Sequence, residues 1–451
     1  MSTAVEPSIS LLGLEAWAER PAGPGWLREL KALALESHRA LGIPTTKHEE
    51  WKYTPLRGLT ERRWTPGEPG PAVFQQELPR HDPNSVRVVL VNGRFDRNLS
   101  ESGTPSPVTG EGAGGGGLTA KSLRDALTED EALVRPWLGQ VRPRTTQAVS
   151  REIKPDSHTF AELNTVVFED GLFLRLQGEI APLVEIVHVS TGEGQAFAPR
   201  VLILAEEGSR ARIVETYVSD GTGPTFILPV TEVIVKEGAH LEHVRVQDES
   251  PESFHIANWQ THQAPRSEYH SYNVCYGAAL ARVDQGIWLD GEDTVTRLDG
   301  VVCASGDQHI DNHTRLDHAF PNGNSFEIYK QVVDDRATVV FNGKIFVHQD
   351  AQKTDAKQTN QALLLSPTAT IDSKPQLEIF ADDVKCTHGA TVGQLEDLPL
   401  FYMRSRGVPK QQAEAVLVYA FAAEVLELIT HEGVRQSLEK RLYEKLGVDL
   451  T

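Results

Sequence analysis

The sequence is poor in the residues that cross-link or metallate small domains. Its 451 residues include only three cysteines, Cys275, Cys303 and Cys386, and only two methionines. Three widely spaced cysteines cannot form a disulfide framework, and no C-x-x-C pair is present to begin a zinc knuckle. We therefore expect a fold built around a hydrophobic core in a reducing compartment, the cytoplasm.

Long apolar runs and positive charge are also scarce. No uninterrupted apolar stretch approaches the ~18 residues of a membrane helix, and the N-terminus lacks the pattern of a signal peptide. The 44 Lys and Arg are outnumbered by 63 Asp and Glu, which gives a net charge of −19. Because nucleic-acid affinity depends mainly on Lys and Arg that displace counterions, we expect no nucleic-acid partner. The lack of a long apolar stretch likewise predicts no membrane partner.

The N-terminal region, residues 1–150, mixes helical and strand patterns. Residues 25–41 carry apolar side chains at steps of three and four and end before a glycine, which predicts an amphipathic helix. The run Val86–Val91 predicts a buried strand that turns at Asn92-Gly93. Residues 102–117 are rich in Gly, Pro and Ser and predict a flexible loop, and the lysine that follows stands too far away to complete a phosphate-binding loop.

Residues 155–393 have the pattern of short strands separated by turns. Apolar runs are broken by Gly, Asn, Asp and Pro with almost no helical periodicity. Turn signals recur at intervals near 30 residues, as between Gly208 and Gly238, with a half-repeat near 15. This period predicts a parallel β-helix whose coils each contain more than one strand. A β-sandwich is disfavoured because its turns would come every ~8–12 residues without register.

The C-terminal region, residues 394–451, returns to helical periodicity. A short element at Leu400–Arg406 ends at a glycine, and an apolar stripe then runs over Pro409–Ile429. A further helix is predicted over Val434–Leu446. The stripe is broad enough to require a packing partner, and the β-helix is the simplest one.

The segment ADDVKCTHGATVG contains the most informative pair of side chains. In a strand, residues two apart share a face, so Cys386 and His388 are expected to point the same way. A thiolate and an imidazole suit iron or an iron–sulfur cluster, but two ligands are too few to hold one. From the residues alone, the pair is either half of a site that another chain completes or a buried cysteine beside a structural histidine.

A second polar group lies in the segment GDQHIDNHTRLDHAFPNG. Strand parity places His309, Asp311 and His313 on one face, in a row that runs from Asp307 to Asp317. Such a face suits a metal ion or a protein partner. A solvated outer face of the solenoid would explain the same charges.

Longer motifs resemble a known family. The segments EEWKYTPL, GKIFVHQDAQKTDAKQTNQALLLSPTATIDSKPQLEIFADDVKCTHGATVG and LFYMRSRGVPKQQAEAVLVYAFAAEVLE occur in this order and resemble the SufB/SufD family of iron–sulfur cluster assembly proteins. The Cys-x-His of Cys386 and His388 is typical of the SufD branch. Met403 stands where the SufB branch has a cysteine proposed to carry the nascent cluster, and a thioether cannot replace a thiolate.

The resemblance implies a fold and a set of partners. The implied fold is a right-handed parallel β-helix flanked by N- and C-terminal helical regions. The implied partners are a SufB paralogue, joined through the β-helices, and the SufC ATPase, docked by the C-terminal helices. The implied role is a non-catalytic scaffold with ATPase activity on SufC, and a homodimer of the isolated chain is left open.

The resemblance also implies roles for individual residues. Cys386 and His388 would contribute to a metal or nascent-cluster site at the interface with SufB. No tightly bound cofactor is expected, only transient iron or a nascent cluster shared with SufB. A reduced flavin is associated with complexes of this family, and no flavin motif occurs in this chain. The ATPase-docking residues would be Phe401, Tyr402, Arg404 and Arg406.

Two other classes of function stay open as alternatives. A β-helix enzyme acting on a polysaccharide would need a converging acid pair in an aromatic-lined groove. The neighbouring carboxylates Asp334 and Asp335 face opposite sides of a strand, which disfavours that pairing. A free-standing metal-binding protein would use His309, Asp311 and His313 and would bind metal stoichiometrically as an isolated chain.

Overall fold

The structure is a computed structural model that describes residues 13–14, 17, 23–70, 74, 77–101, 109–111, 117–140, 158–221 and 223–448. These residues are mainly β, with a β-solenoid of about eight turns and helices toward both ends of the chain. The predicted β-helix core with flanking helical regions is therefore confirmed. No described helix is both long and apolar enough to cross a membrane.

The described helices lie on both sides of the solenoid segment in the sequence. A short 3-10 helix, Glu49–Trp51, precedes the second of them. The α-helices are α1 (Gly25–Leu41), α2 (Arg57–Thr60), α3 (Leu123–Glu129), α4 (Glu131–Val134), α5 (Thr159–Val167), α6 (Asp397–Ser405), α7 (Lys410–Leu426) and α8 (Glu432–Lys445).

The described strands are numbered along the chain. They are β1 (Thr65–Pro66), β2 (Val86–Val91), β3 (Arg94–Glu101), β4 (Thr109–Glu111), β5 (Gly117–Ser122), β6 (Gly171–Gln177), β7 (Val184–Thr191), β8 (Gln195–Phe197), β9 (Arg200–Ala205), β10 (Arg210–Asp220), β11 (Phe226–Ile227), β12 (Val230–Val235), β13 (His240–Asp248), β14 (Phe254–Gln263), β15 (Glu268–Cys275), β16 (Leu280–Leu289), β17 (Val295–Ala304), β18 (His309–His318), β19 (Asn324–Val333), β20 (Thr338–Val347), β21 (Asp355–Leu364), β22 (Thr370–Ile379) and β23 (Lys385–Gly393).

The strands form two sheets that face each other across the solenoid. Sheet I has the order β22-β20-β18-β16-β14-β12-β9-β6-β5-β4, with β1, β8 and β11 beside it. Sheet II has the order β23-β21-β19-β17-β15-β13-β10-β7-β2-β3. Pairing is parallel from β6 to β22 in sheet I and from β2 to β23 in sheet II. Antiparallel strands close the other end, β5 and β4 in sheet I and β3 in sheet II.

The coil period matches the predicted interval near 30 residues. The aligned positions Leu280, His309 and Thr338 in sheet I lie 29 residues apart, and Thr338 aligns with Thr370. At one turn of each successive coil, a residue adopts the left-handed backbone conformation, and its backbone N–H donates a hydrogen bond to a carbonyl of the next coil. This position is held by Gly208, Gly238, Arg266, Asp293, Asn322 and Lys353. Only the first two of these residues are glycine, so glycine spacing alone reveals the repeat only in the first coils.

The C-terminal helices pack against the outer face of sheet II, which is the packing partner that their apolar stripe requires. Val418 and Leu438 share one buried cluster with Val244, Tyr272 and other strand residues. The Tyr272 hydroxyl donates a hydrogen bond of 2.9 Å to a backbone carbonyl that follows α7. Within the stripe predicted over Pro409–Ile429, the apolar side chains of Val416 and Ala420 are instead exposed.

Strands from the N-terminal region extend both sheets. The predicted helix at Gly25–Leu41 and the predicted strand Val86–Val91 are confirmed, with a left-handed turn at Asn92 and the following glycine. The predicted loop 102–117 lies mostly outside the described residues. Its described residues, 109–111 and Gly117, belong to the antiparallel strands β4 and β5, so for them the loop prediction is wrong.

Candidate functional site

The solenoid ends at β22 in sheet I and β23 in sheet II. Each of these strands pairs on one side only among the described residues, with β20 and β21 respectively. Both strands are long, 10 and 9 residues, and their free edges carry unpaired backbone donors and acceptors. Ile379, Phe380 and Val392 expose apolar surface near this end. The last coil is therefore a surface on which another chain can add strands.

Cys386 and His388 lie on β23 and share its inward-facing side. Cys386 aligns with the buried Ala356 of β21, and His388 aligns with the buried Gln358. Cys386 is half-buried and packs against the interior apolar cluster, whereas His388 is exposed. Because no further coil follows them, the two side chains lie at the open mouth of the solenoid interior.

Cys386 differs from the two other cysteines of the chain. Burial raises the pKa of the Cys275 and Cys303 thiols to about 11. Partial burial also raises the pKa of Cys386, but its side chain reaches the surface. Since the thiolate is the form that binds metals, Cys386 holds a proton that an incoming cation has to displace.

The interior beneath His388 is polar, which was missed in the sequence. The row of inward positions that ends at His388 contains Gln358 and Glu327 on the preceding coils. The Gln358 amide donates a hydrogen bond of 2.7 Å to Glu327, and the Thr314 hydroxyl of sheet I donates one of 2.5 Å to it. Burial raises the pKa of Glu327 to about 7. The sequence does carry a signal for this polar interior. Polar residues recur about once per coil at strand positions that share the same face.

A second buried carboxylate lies deeper in the solenoid. Glu215 Oε1 lies 2.9 Å from His188 Nε2, and Glu215 Oε2 lies 3.1 Å from His243 Nε2. The Tyr217 hydroxyl donates a hydrogen bond of 2.7 Å to the same carboxylate. Burial alone would raise the pKa of Glu215, but its contacts with the two imidazoles outweigh burial and hold it well below the ordinary value.

The row His309, Asp311 and His313 lies on the outer face of sheet I, under a segment of the same chain. The Thr54 hydroxyl donates a hydrogen bond of 2.5 Å to Asp311 and lies 3.1 Å from His309 Nε2. His313 lies 3.0 Å from Asp311 and 3.5 Å from the Glu50 carboxylate. The motif EEWKYT therefore covers this row, and the solvated face considered from the sequence is not what the structure shows.

Arg282 organises the electrostatics under this segment. Its guanidinium contacts Asp311 at 2.7 Å, the Glu50 carbonyl at 2.7 Å and the Trp51 ring, whose centroid is 3.7 Å away. Burial opposes the charged forms, yet His313 and Arg282 hold the pKa of Asp311 well below its ordinary value. The hydrogen bond with His313 lowers the pKa of Glu50 to about 2. These charges are paired with one another inside the chain.

The residues expected to dock an ATPase lie on and just after α6. None of the residues of this helix is buried, and Phe401 and Tyr402 are 70% and 59% exposed. The Arg406 guanidinium stands over the Tyr402 ring at 5.1 Å. Phe401 and Arg404 line an open groove with Val408. The four side chains therefore form an accessible surface of aromatic and cationic groups.

Comparison with known proteins gives consistent relationships. Residues 188–421 match the SufBD core domain of the SUF system for FeS cluster assembly. The chain is 33% identical over 411 residues, 90% of each chain, to the iron–sulfur cluster assembly protein SufD of Escherichia coli. It is 31% identical over 408 residues to a SufBD family protein of Synechocystis, covering 86% of this chain and 84% of the relative. It is 25% identical over 454 residues to SufD of Bacillus subtilis, covering 97% and 98%.

The matched residues span most of the solenoid, α6 and most of α7, whereas α8 lies beyond them. The matches to the two SufD proteins extend over nearly the whole chain, including the N-terminal segment that covers sheet I. From this agreement of sequence and fold, the chain belongs to the SufBD family of iron–sulfur cluster assembly proteins and is SufD-like within it.

Proposed function

We propose that this chain is a non-catalytic scaffold subunit that pairs with a SufB paralogue, binds the SufC ATPase and supports assembly of nascent iron–sulfur clusters. The observation that carries the proposal is the position of Cys386 and His388 on β23, the terminal strand with a free edge. A free parallel edge is a surface to which the strands of a second solenoid can pair. A pair of metal-ligand residues at that edge would lie where the two chains meet.

The chemistry of the pair is that of an incomplete site. Cys386 offers a thiol and His388 an imidazole, so the paralogue has to supply the remaining ligands. Met403 cannot accept sulfur as a thiolate, which assigns the sulfur-accepting residue to the paralogue. Iron and the nascent cluster are cargo in this proposal. The imidazole of His388 is a suitable ligand for iron.

The proposed ATPase surface is α6 with the residue that follows it. Exposed aromatic and arginine side chains such as Phe401, Tyr402 and Arg404 are the types most enriched among energetically dominant interface residues. The apolar faces of α7 and α8 are already used against sheet II. The ATPase contact is therefore proposed on the exposed helix rather than on the helical stripe.

The test is to reconstitute clusters on the complex of this chain with a SufB paralogue and the ATPase. His388→Ala should give a stable complex that hydrolyses ATP but yields little iron and acid-labile sulfide, and Cys386→Ala should give a milder loss. Thr387→Ala is the matched control, since Thr387 is exposed on the opposite side of the same strand. It should leave the cluster content unchanged.

Two results would contradict this assignment. Wild-type iron and sulfide content in the His388→Ala complex would reduce that residue to a structural role. Loss of the complex itself in either variant would mean that the pair anchors the interface and does not act as a ligand pair.

A further inference from the structure

Two histidines and a glutamate form a compact cluster on the outer face of sheet II. His240 Nδ1 lies 2.8 Å from one carboxylate oxygen of Glu268, and His270 Nε2 lies 2.8 Å from the other. One ligand atom from each of the three residues lies within 4.8 Å of the other two. The cluster is on β13 and β15, several coils before β23, and it faces away from the interior that Cys386 and His388 face.

The strand pairing fixes the geometry of the cluster. His240 and Glu268 are direct cross-strand partners, and His270 is two residues further along on the same face. All three side chains are half-buried, so their rotamers are restrained while their polar atoms stay accessible. His240 also lines an open cavity together with Glu242 and Thr430. A small ion can therefore reach side chains that are already held together.

The charged side chains around the cluster are compatible with a bound cation, because each is engaged by other groups. Glu242 stands beside His240 and accepts hydrogen bonds from the backbone N–H of Thr430. The nearby guanidinium of Arg297 is engaged by Asp299, at 2.8 Å. Arg212, which also lines the cavity, donates a hydrogen bond to a backbone carbonyl. The charge closest to the two imidazoles is thus the carboxylate of Glu268.

We propose that His240, Glu268 and His270 bind one divalent transition-metal ion of borderline softness, of the class of Zn²⁺ or Fe²⁺. Two imidazoles and one carboxylate are a donor set that such ions prefer, whereas Mg²⁺ and Ca²⁺ prefer sets made only of oxygen. Each imidazole would bind through its unprotonated nitrogen, so the proton that now faces Glu268 moves to the other ring nitrogen or to solvent. Water completes the coordination from the cavity side.

The experiment titrates the purified full chain with Zn²⁺ against a chromogenic chelator, and repeats the titration with Co²⁺, whose absorption spectrum reports its coordination. The wild-type chain should bind one equivalent of Zn²⁺ at this site, with no comparable competition from Mg²⁺ or Ca²⁺. Glu268→Gln and His270→Ala should each lose that equivalent and the matching Co²⁺ spectrum. The double variant Cys386→Ala/His388→Ala should retain it, which separates this site from the proposed cluster interface.

His262→Ala is the matched control. His262 pairs with Asp290 at 2.8 Å and is half-buried in the same way, but it belongs to no three-residue ligand cluster among the described residues. This variant should keep the equivalent. Retention of the equivalent in Glu268→Gln, its loss in the Cys386→Ala/His388→Ala variant, or no bound equivalent in the wild-type chain would each overturn the proposal. Glu268→Gln is nearly isosteric, so it decides the matter if His270→Ala fails to fold.

Discussion

Glu327 is a buried carboxyl that links the solenoid interior to pH. It is fully enclosed, and its two hydrogen bonds come from neutral groups, the Thr314 hydroxyl and the Gln358 amide. Among the residues that the structure describes, no arginine, lysine or histidine contacts it, so burial dominates and raises its pKa from about 4.5 to about 7. A carboxyl with a raised pKa in the folded state stabilises the fold when protonated and destabilises it when ionised.

Glu327→Gln should remove this pH dependence. The stabilising contribution of Glu327 is complete below pH ~4.5 and is lost as pH rises through ~7. The wild-type chain should therefore lose on the order of 2–3 kcal/mol relative to the variant between about pH 5 and about pH 8. Urea unfolding of both proteins at the two pH values measures the difference. Equal pH dependence of both proteins would mean that Glu327 is ionised in the folded state at both pH values.

At the scale of single residues, the sequence predicts which side chains share a strand face but not the polar surroundings of Glu327. Strand parity predicted that Cys386 and His388 share a face, and the structure places them so. Parity does not say which face is inside, because some inward rows of this solenoid are polar although others are apolar. Its inward rows include Glu215, Glu327 and Gln358. The link from His388 back to Glu327 becomes visible only once the register of β19, β21 and β23 is known.

At the scale of elements, the segment Glu49–Thr54 is held on sheet I by packing as well as by charge. Trp51 is 1% exposed, stacks under Arg282 and lies 5.4 Å from the Phe160 ring of α5, measured between ring centroids. Its partners come from both the solenoid and α5, the helix that precedes β6. The segment therefore joins α5 to the outer face of sheet I.

Trp51→Ala should weaken this junction. Removing a fully buried indole is expected to lower the free energy of unfolding by about 3–5 kcal/mol, because both the apolar burial and the packing are lost. Lys52→Ala is the control, since its exposed side chain should contribute little. Chemical denaturation measures the stability, and limited proteolysis reports whether cleavage near residue 51 increases. A protein as stable as the Lys52→Ala control would show that the segment is only loosely attached.

The helix α6 is expected to behave differently, because its exposed residues do not support the fold. Phe401→Ala/Tyr402→Ala should change the free energy of unfolding by less than about 0.5 kcal/mol while strongly reducing retention of the ATPase. Val416→Ala, on the exposed side of α7, is the control and should retain the ATPase. Pull-down of the ATPase by each variant measures the effect. Full retention by the double variant would place the docking surface elsewhere.

Elements were predictable from sequence where the signal is local or periodic. The helix at Gly25–Leu41 follows from apolar spacing and a terminal glycine, and the solenoid follows from turns that repeat with each coil. The docking of Thr54 on Asp311 joins residues 257 apart in the sequence, and no local pattern reports such a contact. Val416 and Ala420 were wrongly assigned to the buried stripe of α7 because alanine and valine occur on both of its faces.

At the scale of the whole molecule, the solenoid is asymmetric. One end finishes in antiparallel strands, the three-residue β4 and the irregularly paired β3, whereas the other end finishes in the long parallel strands β22 and β23. Natural sheets usually protect long edges, since they invite pairing with other chains. The free edges, the exposed apolar side chains nearby and the Cys386–His388 pair all lie at the same end, which makes it the expected site of assembly.

Hydrogen–deuterium exchange of this chain, alone and in complex with a SufB paralogue, tests that central claim most directly. The alternate amides of β22 and β23 that point to the free edge should exchange quickly in the isolated chain and become protected in the complex, because that edge acquires hydrogen-bond partners. The amides of β3, at the opposite end of the solenoid, should change little and serve as the internal control. Protection confined to β3, to sheet faces or to the helices, with β22 and β23 unchanged, would contradict the account.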